Sequence, residues 1–286
     1  MAWEFNRHVE EGIVRKLKEQ RLWNEKLIND CRKGEVFLAI RDGYISFYYR
    51  GGSLFKFDGK VFTTHVKYAS VIDTNDEKAP KDYVQESQLK HLPYIRDFIT
   101  GYDGIKKNCA LHSGLEAEGV SDLYHKNSYL HSASIFVLDI EIAFKKDEGR
   151  KQDRIDILLY DNDSQILRFF EAKHFSNGDL WSTSKPKVIS QIENYQEQIA
   201  RHKEKLIEKY GLYITGLNHI FNKQYKPPKD IESDVSLLIF GFDDAQNRSD
   251  RFRELVFDNP EYEKVKKYCK GDPKGLKAET IWNKAK

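Results

Sequence analysis

Thiols are scarce in this chain. The three cysteines, Cys31, Cys109 and Cys269, lie far apart and show no Cys-x-x-Cys spacing, which argues against a zinc site or a disulfide framework and fits free thiols in a reducing cytosol. Long apolar runs are missing as well: no stretch of about 18 uncharged apolar residues occurs, so no membrane-spanning helix is expected. The opening MAWEFNRHVEEG has no apolar h-region of the kind a secretory leader carries. A soluble cytoplasmic protein with no membrane partner is the expectation. An excess of one charge is also absent, because 47 Lys and Arg stand against 45 Asp and Glu for a net +2. Any nucleic-acid surface must therefore be local rather than a polycationic coat. Phosphate loops of the Gly-x-x-x-x-Gly-Lys type, Gly-x-Gly-x-x-Gly, Gly-x-Ser-x-Gly and His-Glu-x-x-His do not occur, which leaves nucleotide-driven chemistry and hydrolase triads without support. Internal repeats and low-complexity blocks are missing too.

What is present centres on residues 154–173, RIDILLYDNDSQILRFFEAK. Two β-branched and aromatic runs, 155–160 and 166–172, flank the polar cluster Asp161-Asn162-Asp163-Ser164, the pattern of a β-hairpin. Asp156 opens the first run, while Glu171 and Lys173 close the second. A charge in a strand that otherwise reads as core is costly unless it is paired or holds a metal. With the turn centred between Asp163 and Ser164, Asp156 falls opposite Glu171, and Lys173 shares the face of Glu171. The preceding run, 135–144, carries Glu141. A loop centred between Glu148 and Gly149 sets Glu141 opposite Asp156. Like charges facing each other destabilise a sheet, so a row of three carboxylates with one lysine beside it makes sense chiefly as a cation site.

This arrangement resembles the PD-(D/E)xK superfamily of restriction-endonuclease-like nucleases. Asp156 matches the motif's Asp, Glu171 its second acid and Lys173 its lysine; Ile155 stands where many members have Pro. Glu171-Ala172-Lys173 is the only Glu-x-Lys in the chain, and the Asp-x-Lys triplets at Asp58, Asp76 and Asp272 lie in turn-like sequence. Downstream, Gln191 and Tyr195 are four apart in VISQIENYQEQI, similar to the Gln-xxx-Tyr motif of the RecB and phage lambda exonuclease branch. The resemblance spans roughly residues 113–243. It implies an α/β (α+β) fold, a restriction-endonuclease-like αβββαβ core with a mixed sheet. It further implies a metal-dependent nuclease, a Mg2+-dependent deoxyribonuclease acting in restriction, repair or mobile-element defence. Asp156, Glu171 and the Ala172 carbonyl would be hard oxygen ligands for Mg2+ or Mn2+. Glu141 would complete the metal site, with Glu116 or Glu118 as the competing third acid. Lys173 would orient or help deprotonate the attacking water, and Gln191 and Tyr195 would fix Lys173 or the scissile phosphate. Two alternatives stand beside this: a catalytically inactive nuclease-fold protein that binds nucleic acid or a partner, and an RNA-cleaving toxin-like enzyme. DNA is preferred to RNA as partner on the resemblance alone.

The rest of the chain reads as follows. Phe5, Val9, Ile13 and Leu17 predict a helix over 4–32. From 35 to 72 the period falls to two, with Asp42-Gly43, Gly51-Gly52 and Asp58-Gly59 as turns, predicting an antiparallel meander. Its aromatics, among them Tyr44, Tyr48, Phe55 and Phe57, interleave with Arg50, Lys56 and Lys60, suited either to plain sheet packing or to stacking on a nucleic acid. A linker is expected over 73–82 and helices over 83–100 and 113–126. His112, His125 and His131 fit no metal spacing. The loop after Lys173 offers His174, Asn177, Lys185 and Lys187 to phosphates, and a helix over 188–210 carries Gln191, Tyr195, Gln198 and His202 on one face. Residues 235–242, VSLLIFGF, predict a central strand, and the lysines from Lys264 to Lys277 a basic helical tail. His219 and Asn222 faintly resemble a ββα-metal nuclease pair. Three parts are expected: residues 1–100, a candidate surface for substrate, a homodimer or a partner protein; 101–250, the nuclease-like core; and 251–286, the helical basic extension.

Overall fold

The computed structural model describes residues 5–69, 82–91, 95–131, 134–144 and 154–285. The loop expected around Glu148 and Gly149, and all but Asp82 of the expected linker, lie outside the described residues. Among the described residues no helix is long and apolar enough to cross a membrane. The chain forms two compact units, one of residues 6–121 with 212–225, the other of 1–5, 122–211 and 226–286.

In the first unit, α1 (Glu11–Glu19), a wide turn over Trp23–Leu27 and α2 (Ile28–Lys33) precede an antiparallel sheet in simple order. Its strands are β1 (Phe37–Ile40), β2 (Ile45–Tyr49), β3 (Gly52–Phe57), β4 (Phe62–His65) and β5 (Tyr83–Gln85). The β2–β3 turn is Arg50-Gly51, both at positive φ (47° and 79°), the geometry that twists with the strands. In the β3–β4 turn the Asp58 carboxylate accepts from the amides of Lys60 and Val61 at 2.8 and 2.9 Å. Phe47, Phe55 and Phe57 are fully buried, and Phe55 packs against Phe98 at 5.1 Å between ring centres. These aromatics serve sheet packing rather than an open stacking platform. α3 (Tyr102–Leu111) follows in this unit, and α4 (Leu115–Asn127) carries the chain into the second.

The second unit holds β6 (Ile135–Ala143), β7 (Arg154–Asp161), β8 (Ile166–His174), the first part of α5 (Lys187–Phe221) up to Gly211, β9 (Asp230–Ile231), β10 (Ser236–Phe240) and β11 (Lys267–Lys270). β6, β7 and β8 form an antiparallel meander; α5 carries the chain over so that β10 lies parallel to β8, with β11 parallel on its far side. With α4 in front, and apart from the two-residue β9 beside β8 and the edge strand β11, the order is α-β-β-β-α-β in a mixed sheet. β10 is buried at every position, as its unbroken apolar run requires.

Three expectations fail for physical reasons. The N-terminal helix begins only at Glu11, because Phe5, Arg7 and Val9 are buried at every second residue; a spacing of four fits an extended segment as well as a helix. The helix expected over 83–100 gives way to the edge strand β5, too short to show its alternation in sequence, and a 3-10 turn over Glu86–His91. The tail is not wholly helical, because β11 pairs the open edge of β10, whose buried backbone groups need partners whatever the local charge. The basic run is also partly neutralised, Lys266 lying 3.1 Å from Asp234.

Beside the end of β8, Gly241 holds φ +81°, and a Cβ there would come within 2.1 Å of the His174 ring. Gly241→Ala is expected to cost about 2 kcal/mol, from strained backbone and a displaced ring. A melting temperature equal to that of the parent protein would refute this.

Candidate active site

The hairpin register decides what the β7–β8 pair brings together. Every ladder pair from Asp161–Ile166 to Ile157–Phe170 keeps the offset that sets Asp156 against Glu171. The ladder stops one step short of that pair. Beyond it the Asp156 side chain takes over a backbone role, its Oδ2 accepting the Ala172 amide at 2.7 Å. On the other side, a bulge between Val137 and Asp139 shifts β6 by one residue, after which the pairs Ile140–Ile157 and Ile142–Ile155 set Glu141 across from Asp156.

Glu171 and Lys173 are almost wholly buried, at 1% and 6% exposure, although both are charged. They satisfy one another, Lys173 Nζ lying 2.7 Å from Glu171 Oε1. Residues two apart on a strand share a face, so the pair follows directly from the Glu-x-Lys spacing. Asp156 is half-buried. Burial first, then the Glu171 charge, holds its carboxyl well above the usual range; Lys173 and the Ala172 amide oppose this, and Glu141 adds a smaller upward push.

Glu141 behaves differently from its two neighbours. Its backbone sits at φ +53°, a left-handed value uncommon for any residue but glycine, and its Oε2 lies 3.2 Å from Arg154 Nη1. Among the described residues no three His, Cys, Asp or Glu side chains gather as a metal-holding group. The expected row of three carboxylates is therefore reduced to Asp156 and Glu171, with Glu141 turned to an arginine. The competing acids belong to the first unit, where Glu118 lies 3.5 Å from Arg50.

On α5, Tyr195 is buried and donates to the Arg154 carbonyl at 2.9 Å, which anchors the start of β7. Gln191, one turn earlier, has a buried side-chain carbonyl that accepts no hydrogen bond. Gln198 bonds weakly to its own helix, through the Asn194 carbonyl at 3.4 Å, and His202 marks a kink at φ −120°. The loop groups meant for phosphates are engaged close at hand: His174 with Ser176, Asn177 with the Asp179 amide, Lys185 with Glu193 and Lys187 with Asp179. His219 and Asn222 lie in the first unit, His219 near Glu11. Sequence reasoning passed over Arg154. The signal was there, since the hairpin offset that pairs Asp156 with Glu171 also sets Arg154 against Lys173, two residues along the same face.

The donor set suits a hard divalent cation. Half-buried Asp156 and buried Glu171 share a single ammonium, and burial followed by the Glu171 charge disfavours ionised Asp156, a penalty that such an ion would offset. No protein-family model, curated protein or solved structure matches the chain.

Two outcomes are expected. Folded Asp156 keeps its proton to higher pH than the unfolded group, so the folded state binds more protons between about pH 4 and the raised value, and stability falls as pH rises through that window. In EDTA, Asp156→Asn, which retains an acceptor for Ala172, should melt several degrees above the parent protein at neutral pH and converge with it in acid. Parallel melting curves across that range would contradict it. Tyr195→Phe should lower stability by about 1 kcal/mol through loss of the bond to Arg154, measured by thermal melting.

Proposed function

We propose that the second unit is a metal-dependent phosphodiesterase acting on nucleic acid, with DNA ahead of RNA as substrate. The observation that carries this reading is a buried Glu171–Lys173 ion pair next to a carboxyl of raised pKa, on adjacent strands at the point where their ladder opens. Placing charge there is costly for the fold and has no evident structural return. The α-β-β-β-α-β order with its mixed sheet supports a restriction-endonuclease-like core.

In this reading Asp156, Glu171 and the Ala172 carbonyl would hold Mg2+ or Mn2+. Bound there, the ion would supply Lewis acidity and make a coordinated water easier to deprotonate. The chain's own groups do the rest. Lys173, fixed by Glu171, presents a compact positive charge toward the developing charge on the phosphate. Tyr195 holds the β7 backbone just ahead of Asp156, and the buried, unpartnered Gln191 carbonyl one turn away offers an acceptor for a bound water.

A second reading, a nuclease fold that binds without cutting, is favoured by one feature: Glu141 is engaged by Arg154, leaving two acids where three were expected. One assay separates the two. Linear DNA, circular DNA and RNA are incubated with the protein in Mg2+ or EDTA, beside Lys173→Ala and Asp156→Ala. Catalysis predicts Mg2+-dependent cutting that falls at least about a hundredfold in each variant. Binding that survives in the variants, with no cutting by the parent protein in Mg2+ or Mn2+, would establish the passive reading instead.

A further inference from the structure

The exposed guanidinium of Arg154 and the half-buried carboxylate of Glu141 form an ion pair at the rim of the carboxylate site, with side-chain exposures of 61% and 25%. The pair is unusual on both sides. Glu141 reaches it from a backbone at φ +53°, a conformation that costs about 1 kcal/mol or more in a side-chain-bearing residue and clusters at functional positions. Arg154 reaches it from the first residue of β7, whose carbonyl is pinned by the Tyr195 hydroxyl, so its backbone is fixed while its head group stays in solvent. Exposed ion pairs contribute little to stability, and this one does not account for the strained backbone that presents it.

Its position points to a different use. Arg154 precedes Asp156 by two residues on the same strand face, beyond the end of the β7–β8 ladder, and its partner Glu141 lies across from Asp156, so a second cation stands at the rim of the carboxylate cluster. A planar guanidinium binds a phosphodiester bidentately, which an ammonium cannot do. The charges also balance. Glu141, Asp156 and Glu171 against Arg154 and Lys173 leave one net negative charge when all are ionised; a phosphodiester and one divalent cation together bring the set to zero.

We infer that Arg154 is the phosphate-binding residue of this site and that its pair with Glu141 is a resting arrangement, exchanged when substrate enters. Arg154 passes to the phosphate next to the scissile bond, and Glu141 is released toward the cation at Asp156. The inference rests on the phosphodiesterase reading, and binding tests it separately from cutting.

A short fluorescein-labelled DNA duplex and an RNA strand of matching sequence are titrated by anisotropy in EDTA and in Ca2+, and cleavage kinetics are followed in Mg2+. Arg154→Ala should weaken binding about 10- to 100-fold and raise KM more than it lowers kcat, with Arg154→Lys recovering part of the loss. Glu141→Gln should bind more tightly than the parent protein in EDTA, because it frees the guanidinium, yet cut more slowly. The polymer whose binding depends on Arg154 identifies the phosphate's source. Unchanged binding and KM in Arg154→Ala, with the parent protein cutting normally, overturn the assignment and leave the nuclease reading standing. Arg154-dependent binding without any cutting supports the assignment and sinks that reading. If Arg154→Ala weakens binding but Glu141→Gln does not tighten it, the exchange is overturned.

Discussion

A lysine and two acids near the end of a core hairpin have to be reconciled with burial, and the local structure follows from how this is done. Glu171 and Lys173 neutralise each other along one strand face, where side chains two apart lie side by side. The cation two residues from Asp156 on its own strand, Arg154, is paired with Glu141. Asp156 takes a backbone amide instead, and the β7–β8 ladder ends where it does so. The resulting opening is flanked by well-formed sheet, β10 on the far side of β8 and β6 on the far side of β7, so the charged cluster sits in a rigid frame. Burial first, and then the neighbouring Glu171 charge, raise the Asp156 carboxyl above its usual range.

The two units spend their aromatic residues differently. In the first, rings fill a small sheet: Phe57 packs on Phe62 at 4.8 Å and Phe55 stacks parallel to Tyr102. The exposed remainder is occupied by cations from within the unit, Lys56 over Tyr83 and Arg41 over Tyr48. In the second, rings gather beyond the ends of β8 and β10, where Phe175, Trp181, Phe242 and Phe252 interlock and hold the loop that follows the motif strand. That packing explains why His174, Asn177, Lys185 and Lys187, all attractive phosphate ligands in sequence, are instead tied to neighbours in and around the loop.

Much of the candidate site was legible because period-two patterning and turn chemistry are local. Asp161-Asn162-Asp163-Ser164 sets the hairpin offset, and from it Asp156, Glu171 and Lys173 follow as neighbours. The strands β6, β7, β8 and β10 were readable for the same reason, since each carries its own run of apolar residues. Glu141 was harder. Its position across from Asp156 came out of the same arithmetic, but its positive φ and its contact with Arg154 are backbone and side-chain conformations that strand alternation does not encode. For Tyr195 the spacing was legible and its bond to the Arg154 carbonyl was not: helical periodicity fixes which residues share a face, while the atom that face meets depends on docking.

By itself, then, the amino-acid order determined the strands, the hairpin offset and the Glu-x-Lys pairing, because these depend on residues a few positions apart and on side-chain alternation. Only tertiary structure decided that a charged tail would supply β11, that Tyr195 would hold β7, and that Glu141 would answer to an arginine rather than to Asp156. Each of these turns on satisfying a backbone group or a charge with a partner distant in sequence or on a neighbouring strand, and no local pattern records which partner is nearest once the chain has packed.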